Sequence, residues 1–108
     1  MKKQTFELRR VNGASEVVEF TTLVVEAGGK VHFLALHRNG NGGWAVSEPT
    51  SGAAVIRHVA GMIRGKSLFT LQHPCAALRR LAKAEVEALI RRIGADEFNA
   101  VLANPPRA

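Results

Sequence analysis

Three short turn signals constrain this chain more than anything else in it. Asn12-Gly13, Gly28-Gly29 and Asn39-Gly40 each lie between runs rich in β-branched and aromatic residues. Such dipeptides accept the positive φ angles that two-residue hairpin turns require. Connections this short admit only antiparallel neighbours, because a parallel pair needs a crossover of about a dozen residues or more. The spacing therefore predicts four strands, at about 4–11, 15–26, 30–38 and 43–48, joined as a meander. The run Val17-Val18-Glu19-Phe20-Thr21-Thr22-Leu23-Val24-Val25 has strong β-propensity.

Turn length also fixes register, and register fixes faces. A two-residue loop at Gly28-Gly29 sets Ala27 opposite Lys30, Val24 opposite Phe33, Leu23 opposite Leu34 and Glu19 opposite Arg38. A two-residue loop at Asn12-Gly13 sets Arg9 opposite Glu16 and Leu8 opposite Val17. Pairing Arg38 with Gly43 sets Trp44 opposite His37. One face then carries Val18, Phe20, Thr22, Val24, Val31, Phe33, Ala35, Trp44 and Val46. The other carries Phe6, Leu8, Val17, Leu23, Val25, Leu34, Leu36 and Ala45. Both are apolar over the middle strands, whereas a half-solvated antiparallel sheet alternates apolar with polar. Helices from the second half of the chain cover one face. The other calls for more helix or a second copy of the chain. Leu23, Leu34 and Leu36 are the expected oligomer contact, because Trp44 and the aromatic residues of the opposite face suit a core.

The second half reads as helical. Val55, Ile56, Val59, Met62 and Ile63 recur at helical spacing, with Ser51 as a candidate N-cap and Gly65 as a stop. Pro49-Thr50-Ser51-Gly52 offers a competing hairpin turn, which would make residues 53–59 a fifth strand. The helical spacing is the better match, and the strand stays open as the alternative. A short connection or strand over residues 66–71 follows. Pro74 suits a first helical position, with His73 as its cap. Leu78, Leu81, Ala82, Val86, Leu89, Ile90 and Ile93 form an apolar stripe that ends at Gly94. Glu85 interrupts that stripe, so a bend is expected near Lys83-Ala84. A last helix over roughly 95–103 presents Phe98, Val101 and Leu102, and Asn104-Pro105-Pro106 ends regular structure. The expectation is an α+β fold: a four-stranded antiparallel β-meander (residues about 4–48) followed by two to three helices packed on one sheet face. It forms one domain over 1–104 with a short tail at 105–108, a usual length for a single core.

The charge is unevenly placed. The net charge is +6, and residues 53–92 carry Arg57, Arg64, Lys66, Arg79, Arg80, Lys83, Arg91 and Arg92 against only Glu85 and Glu87. Such asymmetry points to an anionic partner, DNA or RNA backbone above all. Phosphate contacts need cations but no fixed spacing. Arg57, Arg64, Lys66, Arg79, Arg80, Lys83 and Arg91 are the expected contacts. A helix-turn-helix fits poorly: about nine residues separate its two candidate helices, and Asp96-Glu97 would open any recognition helix after Gly94. Those two acids suit a helix N-terminus instead.

Catalytic and cofactor chemistry find little footing. The histidines are His32, His37, His58 and His73, and His73-Pro74-Cys75 is the sole His/Cys cluster. Structural zinc takes four ligands, commonly in paired spacings, and no second pair exists. Cys75 at a helix start is a position where a thiol gains reactivity, and equally a packing position. Gly40-Asn41-Gly42-Gly43 lacks the Lys-Ser/Thr ending of a phosphate loop. Trp44 reads as core rather than as a base-stacking platform. No catalytic residue, metal or cofactor is expected. One cysteine excludes an intrachain disulfide and fits a reducing compartment. No stretch reaches membrane-span length, and the basic N-terminus lacks a signal-peptide apolar core. These readings place the chain in the cytoplasm as a non-catalytic nucleic-acid-binding module. The alternative is a protein–protein adaptor or homo-oligomeric accessory protein.

Overall fold

The computed structural model describes residues 4–9, 15–39, 42–50, 53–63, 65–68, 71 and 74–103. The meander is present, in an α+β fold. β1 (Gln4–Arg9), β2 (Ser15–Ala27), β3 (Lys30–Arg38) and β4 (Trp44–Ser47) pair antiparallel in sequence order, and β5 (Ala54–Ile56) adds a fifth strand beside β4. A small hairpin, β6 (Met62–Ile63) with β7 (Lys66–Ser67), leads on towards α1 (Ala76–Ile93), and α2 (Ala95–Ala103) follows.

The β2–β3 register matches the sequence expectation: Ala27 faces Lys30, Val24 faces Phe33 and Leu23 faces Leu34. Gly28 and Gly29 both take positive φ, 59° and 84°, as a two-residue turn demands. The other two hairpins each differ by one residue. Leu8 pairs with Glu16 and Arg9 with Ser15, while Arg38 pairs with Trp44. In the latter turn Asn39 N–H donates to Gly43 O at 2.9 Å, and Asn39 Oδ1 accepts from Gly43 N–H at 3.0 Å. The tip therefore spans residues 39–43, one residue more than the Arg38–Gly43 pairing allowed. The Asn12-Gly13 turn itself lies outside the described residues.

A slip of one residue exchanges faces. Trp44 and Val46 now share a face with Leu34, Leu36, Leu23, Val25 and Ala27, and all seven are buried in one core. Leu78, Ala82 and Val86 of α1 and Phe98 of α2 close that core. In β1 the backbone of Phe6 pairs with Val18.

Residues 53–64 do not form the expected helix. Val46 pairs with Ile56 across a bulge, and Glu48 N–H donates to Ala53 O at 2.8 Å. The outer edge of β4 has backbone groups to satisfy, and this segment supplies them. Most of the apolar side chains still reach the core: Val59 is buried, and Val55, Ile56 and Ile63 pack against the cluster, whereas Met62 is 64% exposed. Gly61 sits at φ 127°, which no helix accommodates.

α1 runs unbroken through Glu85, because that carboxylate has a partner: Ala60 N–H donates to Glu85 Oε2 at 2.9 Å. Cys75, not His73, is the N-cap, and its Sγ accepts from Leu78 N–H at 3.5 Å. Gly94 N–H closes the far end on Ile90 O at 2.8 Å. α2 docks on the β2–β3 turn. Asn99 Nδ2 donates to Ala27 O at 3.0 Å, and Asn99 Oδ1 lies 2.6 Å from His32 Nε2. The His32 ring meets Phe98 edge-on at 5.5 Å.

A methyl group at Gly28 would stand 3.1 Å from Ala95 Cβ, whereas one at Gly29 would meet nothing within 4 Å. Both positions need positive φ, a cost of about 1–3 kcal/mol for a non-glycine residue. Gly28→Ala should therefore destabilise the protein more than Gly29→Ala, by roughly 1 kcal/mol in urea denaturation. Equal losses would show that α2 does not rest on this turn.

Candidate functional site

The fold gathers three of the expected cations and disperses the others. Arg79, Arg80 and Lys83 line a groove of about 300 Å³ together with Ala76 and the β2 residues Thr22, Leu23 and Val24. Their spacing brings them together. Arg79 and Lys83 are one helical turn apart, and Arg80 is beside both on the adjacent row. Leu78, Ala82 and Val86 point to the core, which turns these three towards solvent and the outer side of β2. All three are exposed, and among the described residues none is held in an ion pair. The groove opens at the first turns of α1, which carry no acidic residue. The positive end of the helix dipole therefore adds to the field of the side chains.

β2 contributes a backbone edge. Ala27 and Lys30 close the two-residue turn as a hydrogen-bonded pair, and antiparallel pairs alternate from there. Val25 and Leu23 direct their backbone groups at β3. Val24 and Glu26 direct theirs to the other edge, beyond the last described β1 pairing at Gln4 and Phe20.

The remaining predicted contacts lie elsewhere. Leu81 is two residues, or about 200° of helix, from Arg79. Gly61 packs against Leu81, and Ala60 binds Glu85. The exposed segment containing Arg57 thus flanks the opposite side of α1 from the groove. Arg91 and Arg92 are exposed in the last turn, where cations complement the helix dipole. Arg91 is about 12 Å along the axis from Lys83. Lys66 falls in β7, and Arg64 lies outside the described residues.

The expected oligomer contact is corrected outright. Leu23, Leu34 and Leu36 are buried beneath the helices. The face left open holds Val24, Val31 and Phe33, which are 47%, 49% and 63% exposed. Val24 and Phe33 are direct cross-strand partners, and Val31 is two residues along the same face. The signal was in β2: Thr22 and Glu26 alternate with the more apolar Leu23, Val25 and Ala27. That imbalance marks the second set as the core face.

Two polar clusters lie around β3, one buried and one half-buried. Ser47 Oγ and His37 Nε2 are 2.8 Å apart, and His37 Nδ1 is 2.8 Å from Arg38 O. A carbonyl can only accept, so Nδ1 carries a proton and donates to Arg38 O, while Nε2 shares a hydrogen bond with the Ser47 hydroxyl. Both residues are closed off from solvent. The arrangement satisfies two buried polar groups and offers a substrate no approach. Arg38 donates to Gly42 O at 2.9 Å and to Leu71 O, and its guanidinium stands 5.4 Å from the Trp44 ring centroid. Trp44 is buried as expected, with its indole N–H unpartnered.

Among the described residues no three His, Cys, Asp or Glu side chains are grouped to hold a metal ion, and no helix is long and apolar enough to cross a membrane. No family model, curated protein or solved structure matches this chain.

Because the three groove cations are exposed, and none is held in an ion pair among the described residues, they contribute little to folding. Arg79→Gln, Arg80→Gln and Lys83→Gln should each change unfolding free energy by no more than about 0.5 kcal/mol in urea denaturation. A larger loss would show that the side chain serves the fold rather than a ligand.

Proposed function

We propose that this protein is a nucleic-acid-binding module that contacts phosphate backbone through the groove of Arg79, Arg80 and Lys83. The observation that carries this reading is the convergence on one open groove of three exposed cations, none of them held in an ion pair among the described residues. Cations that merely keep a helix soluble have no reason to share a concave site with a strand edge. Phosphate needs several donors within reach and no defined base-reading set, which is what the groove offers. Arg91 extends the basic surface along α1, while Arg57 and Arg92 stand outside the groove.

A second reading has its own observation. Val24, Val31 and Phe33 leave an apolar patch open on the far sheet face. Such patches commonly mark contacts with another protein, and a second copy of this chain fits an adaptor or homo-oligomeric role.

Fluorescence anisotropy across a salt series tests the first reading. Affinity should fall steeply with salt, because each neutralised phosphate releases condensed counterion. The triple variant Arg79→Gln/Arg80→Gln/Lys83→Gln should weaken binding on every sequence alike and reduce the log–log slope by about 2 to 3. No binding at about 50 mM salt, where basic proteins retain non-specific affinity, would remove this reading and leave the protein-contact reading ahead.

A further inference from the structure

We infer that the preferred ligand is single-stranded nucleic acid, with a phosphate in the groove and an unpaired base stacked on Phe33. The inference rests on the phosphate-binding reading above and adds the part of the ligand that a groove of cations cannot choose.

Phe33 is 63% exposed and sits on a regular strand of the sheet, not at a loop tip. Exposing an aromatic ring on a rigid strand sacrifices burial that the residue would otherwise contribute to stability. Its surroundings suit a flat, apolar object. Val24 lies directly across the strand pair, and Val31 lies on the same face of β3. Neither of these two is charged, while the exposed carboxylate of Glu26, cross-strand partner of Val31, borders the same face and sets the side from which a phosphate backbone must stay clear. A base laid on the ring would rest on this small apolar floor, and every base has a π-face to offer.

The position of the groove joins the two features. Val24 lines the groove and is also the cross-strand partner of Phe33. β3, the strand that carries the ring, is therefore one strand spacing, about 4.8 Å, inward from the strand that borders the cations. A chain passing over the outer edge of β2 meets Arg79, Arg80 and Lys83 on one side and Phe33 on the other. Single-stranded nucleic acid has that alternation of charge and ring along its length. A duplex does not, because its bases are stacked on one another and unavailable to Phe33. A second copy of this chain fits the apolar floor but gives no role to three cations at its border.

The test compares labelled twelve-nucleotide oligothymidine and oligouridine with a mixed-sequence duplex of twelve base pairs, by anisotropy at about 50 mM salt. The single strands should bind at least severalfold more tightly than the duplex. Phe33→Ala should weaken single-strand binding about tenfold or more, the usual effect of losing one stacking partner. It should leave the salt slope and the duplex affinity unchanged. Phe33→Leu, which keeps an apolar side chain without a ring, should behave like the alanine variant, and thermal unfolding of both confirms that they fold. If the triple cation variant loses salt-dependent binding while Phe33→Ala loses nothing, the stacking inference fails and the phosphate reading stands. Duplex binding as tight as single-strand binding overturns the inference in the same way. If wild-type protein is a dimer by light scattering and Phe33→Ala makes it a monomer, the face belongs to a second copy and the inference is wrong. No binding to any oligonucleotide overturns both readings.

Discussion

The register of the β2–β3 hairpin is the constraint on which the rest of this structure depends. Gly28 and Gly29, both at positive φ, close a two-residue turn, and that turn determines which side chains of two long strands share a face. Leu23, Val25 and Ala27 join Leu34 and Leu36 on one face, and the helices settle there. The opposite face receives Val24, Val31 and Phe33 and keeps them in contact with solvent. A one-residue slip would send each set to the other side and remove both the core and the open patch.

The placement of α1 follows from that face. Its apolar positions Leu78, Ala82 and Val86 must meet the sheet, so its rotation is set by packing and not by charge. Once the rotation is set, Arg79 and Lys83 emerge over the outer side of β2, while Leu81 and Glu85 face the segment around Ala60 and Gly61. The helix thereby sorts its cations into a groove on one flank and scattered charges elsewhere. Uneven charge along the sequence becomes uneven charge in space by this step, and only part of it reaches the candidate site. Arg57 is as basic as Arg79 and has no share in the groove.

Much of this was legible in the residues, and what was not had two physical causes. The Gly28-Gly29 turn could be read because two glycines leave one geometry available. The Asn12-Gly13 and Asn39-Gly40 signals located turns correctly but did not fix their length. Arg9 pairs with Ser15, one residue away from the two-residue solution, and Arg38 with Trp44, one residue beyond the Gly43 pairing. In the second hairpin that single residue moved Trp44 to the face of Leu34 and Leu36. Residues 53–64 failed differently. Val55, Ile56, Val59 and Ile63 are buried or partly buried, as their spacing demanded, but the backbone needs of β4 decided how they got there. Periodicity reports which residues go inside and is silent about unpaired edges. Glu85 shows the same limit at one position, since its partner is a backbone N–H some 25 residues away. The stacking candidate escaped notice because a period of two separates the faces of a strand without saying which one the helices will cover.

The central claim is that one site spans the outer edge of β2, with charge on one side and an exposed ring on the other. A titration of isotope-labelled protein with a short single-stranded oligonucleotide, followed by amide and side-chain NMR shifts, tests it most directly. The account predicts that the largest changes cluster at Val24, Phe33, Arg79, Arg80 and Lys83, with little movement at Arg57 or Arg92. Changes concentrated at Arg57 and Arg92, with Phe33 unaffected, would contradict it.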